Sequence, residues 1–230
     1  MLSELKERVF KSNLNLVKDN LVILSWGNVS GIDRDKELVV IKPSGIPYGE
    51  MKVSDMVVVN LDGEIVEGSN KPSIDTPTHL KLYRHFEDIG GIAHTHSKFA
   101  TIFAQAGVEI PCLGTTHADS FYGAIPITRF LSEEETGKDY EENTAKVIIE
   151  LFKEMNPLDM PGVLVRGHGP FTWGKTPEEA ERNSFILENV AEMAFGTILL
   201  NPKSEILPEH ILRKHYWRKH GPGAYYGQKK

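Results

Sequence analysis

The chain has 230 residues, of which 40% are hydrophobic and 25% are charged, and its formal net charge is −6. This length predicts one domain with a core that needs no disulfide or structural metal, and the acidic balance argues against a nucleic-acid or anionic-membrane partner. The one cysteine, Cys112, excludes an internal disulfide and a thiolate metal cluster. Because no stretch is typical of a signal peptide or approaches the roughly 20 apolar residues of a membrane span, we expect a cytoplasmic protein.

Helical and strand patterns alternate along the chain without repeats or linkers. The hydrophobic spacing predicts, in chain order, a helix over 2–19, a strand over 37–41, paired strands over 56–61 and 64–66, a helix over 76–86, a strand over 89–95, a helix over 98–106, a strand over 123–128, a helix over 133–155, strands over 163–165 and 171–173, a long helix from 176 and a last helix over about 208–219. Since hairpins mix with helices and strict βαβ alternation is missing, these elements predict an α/β domain layered around a largely antiparallel sheet.

One turn carries a specific geometric prediction. Asp62-Gly63 separates two apolar runs, and this dipeptide tolerates the positive φ angles of a type I′ turn. The sequence therefore predicts a two-residue hairpin there.

The strongest functional signal is His94-Thr95-His96 at the end of a predicted strand. Residues i and i+2 of a strand project from the same face, so both imidazoles can reach one ion. His168 lies in a Gly-His-Gly-Pro turn after another predicted strand, where the glycines allow close approach of the backbone. Three neutral imidazoles leave a zinc ion with an open position, which is the pattern of catalytic sites. The alternative is a set of exposed or core histidines near strand ends.

Asp75 is a possible fourth ligand, since it lies just before the helix start at Thr76-Pro77. The alternative interpretation is a helix-entry carboxylate that stabilises the helix dipole without touching a metal. Apart from His215, the histidines outside this cluster are expected on solvated helix or loop faces: His79, His85, His117, His210 and His220.

Several segments resemble, in order along nearly the whole chain, the class II aldolase and epimerase family, and within it the sugar-phosphate epimerases. The segments are Trp26-Gly27-Asn28-Val29-Ser30, Ile41-Lys42-Pro43-Ser44-Gly45, Lys71-Pro72-Ser73 through His79, Gly90-Gly91-Ile92 through Ser97, Gly114-Thr115-Thr116-His117-Ala118-Asp119, Pro161 through Trp173, and Ala224-Tyr225-Tyr226-Gly227-Gln228. The resemblance implies a single three-layer α-β-α domain over residues 1–230 with a central, largely antiparallel sheet. It also implies that the tail 221–230 completes the active site.

The resemblance implies zinc-dependent epimerisation at C4 that interconverts L-ribulose 5-phosphate and D-xylulose 5-phosphate. The implied metal is Zn²⁺, although Mn²⁺ or Co²⁺ suits such ligands as well. Its implied ligands are Asp75, His94, His96 and His168. The partners implied are a phosphorylated ketopentose and further copies of the chain in a homotetramer, with active sites at the subunit interfaces. Substrate contacts are implied for Gly27, Asn28, Ser44, Gly45, Ser73 and Ile74, and for Thr115 and Thr116 in the segment before Asp119.

Inversion at C4 of a ketose is difficult by simple deprotonation, because the C4 proton is not next to the carbonyl. Cleavage of the C3–C4 bond solves this problem. Loss of the C4 hydroxyl proton starts a retro-aldol cleavage into the enediolate of dihydroxyacetone and glycolaldehyde phosphate. The aldehyde then turns its other face and the bond forms again. Metal binding at the ketose oxygens would stabilise the enediolate.

The acid/base pair implied by the resemblance is Asp119 and Tyr226, reaching the metal of a neighbouring subunit. An aspartate is ordinarily ionised, with a pKa of about 3.9, and a tyrosine is ordinarily protonated, with a pKa of about 10. One therefore starts as base and the other as acid. Without the resemblance, Asp119 is interpreted as a loop carboxylate and Tyr226 as an aromatic residue of a frayed tail.

Positive charge at the substrate phosphate is predicted from Lys42, His215 and Arg218, since arginine can bind phosphate through two nitrogens. The alternative is a solvated surface position, or stabilisation of a helix C-terminus by the His215–His220 segment. One residue departs from the family pattern: Ile74 follows Ser73 where a second serine is expected. A hydroxyl contact with the phosphate would then be missing, whereas a backbone N–H contact would remain.

Three other functions fit parts of the pattern. An aldolase of the same family, of the fuculose- or rhamnulose-phosphate type, would release its products. A metal-dependent hydrolase with an HxH motif generally needs a TIM barrel with the motif on its first strand, and this chain has the motif in its middle. A zinc-binding scaffold without chemistry leaves Asp119 and Tyr226 unexplained.

Overall fold

Seven antiparallel strands form the sheet at the centre of the protein, which a computed structural model describes for residues 2–226. The strands are β1 (Asn28–Asp33), β2 (Leu38–Ile41), β3 (Val57–Asn60), β4 (Ile65–Glu67), β5 (Gly91–His94), β6 (Gly162–Val165) and β7 (Gly169–Gly174). Their order is β4-β3-β2-β1-β5-β7-β6, and every pairing between them is antiparallel. β5 therefore lies between β1 and β7. Met1 and residues 227–230 lie outside the described residues, so the structure describes only residues 221–226 of the predicted tail 221–230.

Eight helices surround this sheet among the described residues. They are α1 (Ser3–Lys18), α2 (Thr76–His85), α3 (Lys98–Ala106), α4 (Thr115–Ala118), α5 (Glu133–Gly137), α6 (Tyr140–Leu151), α7 (Pro177–Leu200) and α8 (Glu209–Trp217), with a 3-10 turn at Val53–Asp55. Within residues 2–226 no helix is both long enough and apolar enough to cross a membrane.

Alternation of side chains along the strands buries both faces of the sheet. Ala93 packs on one face with Leu16 of α1 and Ala180 of α7. Its neighbour Ile92 belongs to the core on the other face, together with Tyr83 of α2. Helices thus cover both faces, and the predicted α-β-α fold with an antiparallel sheet is confirmed.

The hairpin between β3 and β4 differs from the predicted two-residue turn. The N–H of Asn60 donates to Glu64 O at 3.0 Å, which leaves three residues in the turn. Gly63 has a φ of 87°, but Asp62 is not among the residues with positive φ, so the turn is not type I′. The Asn60 side-chain oxygen accepts from the N–H groups of Asp62 and Glu64 and builds a different turn.

Two further elements differ from prediction. The predicted strand over 123–128 is reduced to isolated bridges, Ile110 with Ile125 and Ile127 with Leu164. Pro126 lies between them and has no N–H to donate to a ladder. The predicted helix over 133–155 is two helices. Helix α5 ends at Gly137, Asp139 has a left-handed backbone with a φ of 54°, and α6 begins at the next residue.

Candidate active site

Three histidines meet where strands β5 and β7 lie side by side. His94 is the last residue of β5, His96 follows two residues later, and His168 ends the turn between β6 and β7. The Nε2 atoms of His94 and His96 are 3.1 Å apart. One ring nitrogen from each of the three histidines lies within 4.8 Å of the others. The fold therefore gathers these imidazoles into one cluster, called the triad below.

Neighbouring residues fix the orientation of His94. Its Nδ1–H donates to Pro170 O at 3.0 Å, and its ring stacks on Phe171 with centroids 4.1 Å apart. In the sheet, Phe171 is the residue directly opposite His94. A hydrogen bond at Nδ1 leaves Nε2 as the nitrogen that faces the other imidazoles, which is the arrangement of a metal-ligating histidine.

The triad is uncharged at neutral pH. Burial, with a further contribution from neighbouring imidazoles, lowers the pKa of His94 and that of His168 to about 3. Burial also lowers the pKa of His96, although Asp75 partly opposes the effect. Neutral imidazole is the form that binds metal ions.

The donor set fits a divalent metal ion. Two Nε2 atoms at 3.1 Å share either the N–H of one neutral imidazole or a common cation, and burial, which opposes a charged imidazolium, keeps both rings in the neutral form that can bind a metal ion. Among the described residues, the buried Nδ1 of His168 also has no hydrogen-bond partner. Three histidine nitrogens without cysteine are typical of a catalytic zinc site that keeps a position open for substrate.

Asp75 lies close to the triad but outside its tight cluster. It is the N-cap residue of α2, and its side chain does not cap the helix. Instead, its Oδ2 accepts from Asn28 Nδ2 at 2.6 Å. Asn28 stands directly opposite His94 in the β1–β5 pair. The carboxylate is therefore held beside the triad by a hydrogen bond from the neighbouring strand.

The predicted substrate-binding loops also lie on this side of the sheet. Asn28 Nδ2 donates to Ser73 Oγ at 3.0 Å, and Ser73 N–H donates to Lys42 O at 2.9 Å. Pro43 and Pro72 form an antiparallel bridge between the two loops. These contacts connect the residues into one set, called the metal-side group: Gly27, Asn28, Lys42, Ser44, Gly45, Ser73, Ile74, Asp75, His94, His96 and His168.

Two members of the metal-side group are open to a ligand. A Cβ on Gly45, whose φ is +73°, would meet nothing within 4 Å, and the side chain of Ile74 is 70% exposed. Ser44 is exposed as well, but its N–H already donates to Lys71 O. A phosphate could therefore approach both loops from solvent.

Lys42 is buried rather than solvated, with only 2% of its surface exposed. Its Nζ donates to Ser25 O and Pro43 O and lies 4.8 Å from the centre of the Tyr48 ring. Burial lowers the pKa of Lys42, although the nearby Asp75 opposes this. The lysine amine is thus held in one place by the carbonyls of Ser25 and Pro43.

Tyr48 is a structural residue of the site that the sequence did not single out. Its hydroxyl donates to Gly27 O at 2.9 Å and Trp26 O at 3.2 Å, and burial raises its pKa. Gly27 has a φ of +77°, and a Cβ there would lie 2.9 Å from His94 O, so this loop packs directly against the end of β5. Tyr48 therefore holds the loop in front of the triad.

Replacing Tyr48 by phenylalanine is expected to lower the free energy of unfolding by about 0.5–1.5 kcal/mol, because the carbonyl oxygens of Trp26 and Gly27 lose their donor. The ring would remain beneath Lys42. Urea unfolding of the variant measures the change, and Tyr225→Phe is the control, since Tyr225 is 67% exposed. Equal stability of the Tyr48 variant and wild type would contradict this role.

Two histidines predicted on solvated faces are buried. His79 is 0% exposed, and its Nδ1 bonds to Ser30 Oγ at 2.7 Å, which in turn bonds to the Tyr83 hydroxyl. His117 is 4% exposed and bonds to Gly123 O. Both predictions were wrong: the partner of His79 comes from a distant strand, and that of His117 is a backbone carbonyl six residues further along the chain, neither of which a helical period reveals.

A second set of predicted residues gathers around the C-terminal helix. Asp119 follows α4, and its carboxylate accepts from Arg218 Nη2 at 2.9 Å, from Lys219 Nζ at 3.0 Å and from His215 Nδ1 at 3.1 Å. The tail folds back here, since Tyr226 N–H donates to Arg218 O at 3.0 Å. The Tyr226 ring lies 4.5 Å from the Arg218 guanidinium. This tail-side group comprises Thr115, Thr116, Asp119, His215, Arg218 and Tyr226.

The surrounding cations keep Asp119 ionised. Burial alone would raise the pKa of this carboxyl, but hydrogen bonds from Arg218, Lys219 and His215 outweigh burial and hold the pKa below its ordinary value. Thr115 and Thr116 are exposed on α4 beside it. A carboxylate and a phenol are thus collected at one surface.

The two groups are apart within one chain. Asp119 and Tyr226 line a cavity of about 830 Å³ that extends to Gly174, the last residue of β7. His168 precedes the first residue of β7, so the strand places Gly174 roughly 20 Å from His168. Of residues 2–226, the lining of this cavity includes none of the triad. Within the described part of one chain, the predicted acid/base pair and the triad therefore do not share this cavity.

An antiparallel α-β-α domain with three neutral imidazoles at neighbouring strand ends defines a candidate metal-dependent enzyme. The family described as Class II Aldolase and Adducin N-terminal domain matches residues 7–195. The chain belongs to this family, so the resemblance predicted from the sequence is confirmed.

Individual relatives cover almost the whole chain. L-ribulose-5-phosphate 4-epimerase UlaF of Salmonella paratyphi C (strain RKS4594) is 54% identical over 228 residues, which are 99% of this chain and 100% of the relative. Among solved structures, an L-fuculose 1-phosphate aldolase superposes with a TM-score of 0.81 and 26% identity, covering 95% of this chain and 97% of that one. YgbL of Klebsiella pneumoniae superposes with a TM-score of 0.76 and 24% identity, covering 93% of this chain and 99% of that one. At this identity the likeness shows the fold alone.

Proposed function

We propose that this chain is an L-ribulose-5-phosphate 4-epimerase, which inverts C4 of a phosphorylated ketopentose. The observation that carries the proposal is the 54% identity with an epimerase of that name, over the full length of that relative. The triad and the Asp119–Tyr226 pair supply the groups that this chemistry requires.

The triad would hold a divalent ion, for which we propose Zn²⁺, with Mn²⁺ or Co²⁺ as alternatives. When bound, the ion supplies Lewis-acid polarisation of the substrate's ketone. Three uncharged imidazoles leave the full charge of the ion available for this task, and Asp75 as a further ligand or close neighbour would reduce it. Asn28 fixes Asp75 in either case, through the 2.6 Å hydrogen bond.

Asp119 and Tyr226 would move the protons. In one direction the Asp119 carboxylate takes the proton of the C4 hydroxyl as the C3–C4 bond breaks. The bonding electrons pass into the three-carbon fragment as an enediolate, and C4 becomes the aldehyde of glycolaldehyde phosphate. After the aldehyde turns, the bond forms on its other face, and Tyr226 returns a proton to the new C4 oxygen. The reverse reaction exchanges the two roles.

These two residues would serve the triad of a neighbouring subunit. Support comes from the separation of the metal-side and tail-side groups within one chain and from the fold-back of the tail onto Arg218. A cyclic homotetramer would place one subunit's tail-side group against the next subunit's triad at each interface. The tail 221–230 would then complete each active site.

The substrate phosphate would bind at the open loops of the metal-side group. Gly45 and the exposed segment at Ile74 leave room for it, and Lys42 lies beneath with its buried charge. Ser73 Oγ already accepts from Asn28, which leaves its own hydrogen available for donation. Holding the phosphate would keep the two-carbon fragment in place while its aldehyde turns.

Substituting serine for Ile74 is expected to lower KM several-fold with little change in kcat. A new hydroxyl at this exposed position would add one hydrogen bond to the phosphate, worth about 1 kcal/mol. That bond is the same in ground and transition state, so it would act on KM. Steady-state kinetics of Ile74→Ser measure the effect, with Ile74→Ala as the control. An equal fall in KM for Ile74→Ala would show that the hydroxyl is not responsible.

The direct test is incubation of the protein with L-ribulose 5-phosphate. Formation of D-xylulose 5-phosphate, its loss after treatment with a chelator and its return on addition of Zn²⁺ are expected. Absence of turnover by the metal-loaded protein would refute the proposal.

A class II sugar-phosphate aldolase is the second candidate. It is favoured by the TM-score of 0.81 and 26% identity with an L-fuculose 1-phosphate aldolase. Incubation with L-fuculose 1-phosphate or L-rhamnulose 1-phosphate separates the two functions. Release of dihydroxyacetone phosphate at a rate above that of epimerisation would favour the aldolase.

A further inference from the structure

Helix α3 connects the two loops that supply His96 and His168. It begins at Lys98, two residues after His96. Its last turn contacts the turn of His168, because the Gly167 N–H donates to Ala104 O at 2.9 Å. A Cβ on Gly169 would lie 3.6 Å from Thr101 Oγ1 and 3.4 Å from His96 Cδ2, so the two loops also touch. The placement of α3 thus affects both imidazoles.

The N-terminus of α3 is capped from another helix. Its N-cap residue, Ser97, makes no side-chain cap, and its buried hydroxyl has no hydrogen-bond partner among the described residues. The carboxylate of Glu188, on α7, replaces that cap. Its Oε1 accepts from Phe99 N–H at 2.8 Å, and its Oε2 accepts from Ala100 N–H at 3.0 Å. Both oxygens of one charged side chain therefore hold the first turn, at the positive end of the helix dipole.

The C-terminus of α3 meets a positive charge. Gly107 ends the helix with a φ of +72°, and a Cβ there would lie 2.8 Å from Arg166 Nη2. The same guanidinium lies 4.5 Å from the centre of the Phe130 ring. Arg166 is two residues before His168 in the turn. Opposite charges thus lie at the two ends of the helix, and each end is adjacent to one imidazole.

We propose that Glu188 is a positioning residue for the metal centre, acting through α3 to fix His96 relative to His168. This inference rests on the proposed metal site. The carboxylate does not touch the triad, but it anchors the first turn of the helix that follows His96. Without it, two N–H groups at that turn lose their acceptor, and the start of α3 loses its two hydrogen bonds to α7. Interactions that orient metal ligands typically change metal affinity by about 10- to 100-fold when removed.

The test compares Glu188→Ala and Glu188→Gln with wild type and with Glu192→Gln. Glu192 is exposed one turn further along α7 and serves as the matched control. Zn²⁺ affinity is measured by competition with a chromogenic chelator, and the geometry of the site by the visible absorption of bound Co²⁺. Circular dichroism and thermal unfolding report the fold of each variant.

For Glu188→Ala we expect Zn²⁺ to bind about 10- to 100-fold more weakly, with an altered Co²⁺ spectrum. The Zn²⁺ affinity of Glu188→Gln should lie between those of Glu188→Ala and wild type, because the amide oxygen can still accept one hydrogen bond. If the alanine variant does not fold, the glutamine variant tests the proposal instead. A lower melting temperature with wild-type Zn²⁺ affinity and Co²⁺ spectrum would overturn the inference and leave the metal site intact. Failure of wild type to bind either ion would overturn the proposed metal site and this inference with it.

Discussion

Replacing Asp119 by asparagine is expected to lower kcat for epimerisation by about 10²- to 10⁴-fold, the usual contribution of a positioned general base. The amide keeps the shape of the side chain but cannot take the C4 hydroxyl proton. Metal affinity should not change, because Asp119 contacts the C-terminal helix and not the triad within a chain. Steady-state rates with L-ribulose 5-phosphate and a Zn²⁺ competition titration measure the two quantities.

A matched control for this variant is Asp159→Asn. Asp159 lines the same cavity as Asp119, but its carboxylate accepts from the Tyr216 hydroxyl at 2.9 Å and from Asn156 Nδ2 at 3.0 Å, and an amide oxygen keeps the first of these bonds. Its rate should stay close to that of wild type. A wild-type kcat for Asp119→Asn would refute the proposed acid/base role of Asp119. Loss of Zn²⁺ binding together with activity would indicate a structural effect instead.

The triad was predictable in part because its first half is local. His94 and His96 are two residues apart at a strand end, so their proximity follows from the geometry of one strand. The approach of His168 depends on the pairing of β5 with β7, where His94 stands opposite Phe171. That register joins segments almost eighty residues apart in sequence, and the sequence pattern pointed to it only through the glycines around His168.

Burial of polar side chains was the part that the sequence pattern did not reveal. His79 was expected in solvent, but it finds a partner in Ser30 on β1 and is 0% exposed. The sequence allowed Lys42 to be either a surface residue or part of the site. In the structure it is buried, with Tyr48 and the Ser25 carbonyl around its amine. Tertiary contacts decide such cases, since a polar residue can be buried wherever a distant segment supplies its hydrogen bonds.

A mixture of two inactive variants is expected to regain activity if the metal-side and tail-side groups work in different subunits. His96→Ala would remove the triad but keep the tail-side group, and Asp119→Asn would do the reverse. In randomly mixed oligomers, half of the triads and half of the tail-side groups are intact, so about a quarter of the interfaces would combine both. Co-expression with two different affinity tags, followed by purification on both, isolates the mixed oligomers for assay.

The control for this experiment is a mixture of His96→Ala with His168→Ala. Every chain in that mixture lacks a triad residue, so no arrangement of subunits can assemble a complete site, and no activity should return. Two inactive variants that stay inactive in verified mixed oligomers would show that each chain supplies its own acid/base pair. A rearrangement within one chain would then have to bring Asp119 and Tyr226 to the triad. Recovery confined to the first mixture would instead assign the pair to the neighbouring subunit, because only contact between different chains can combine the two intact groups.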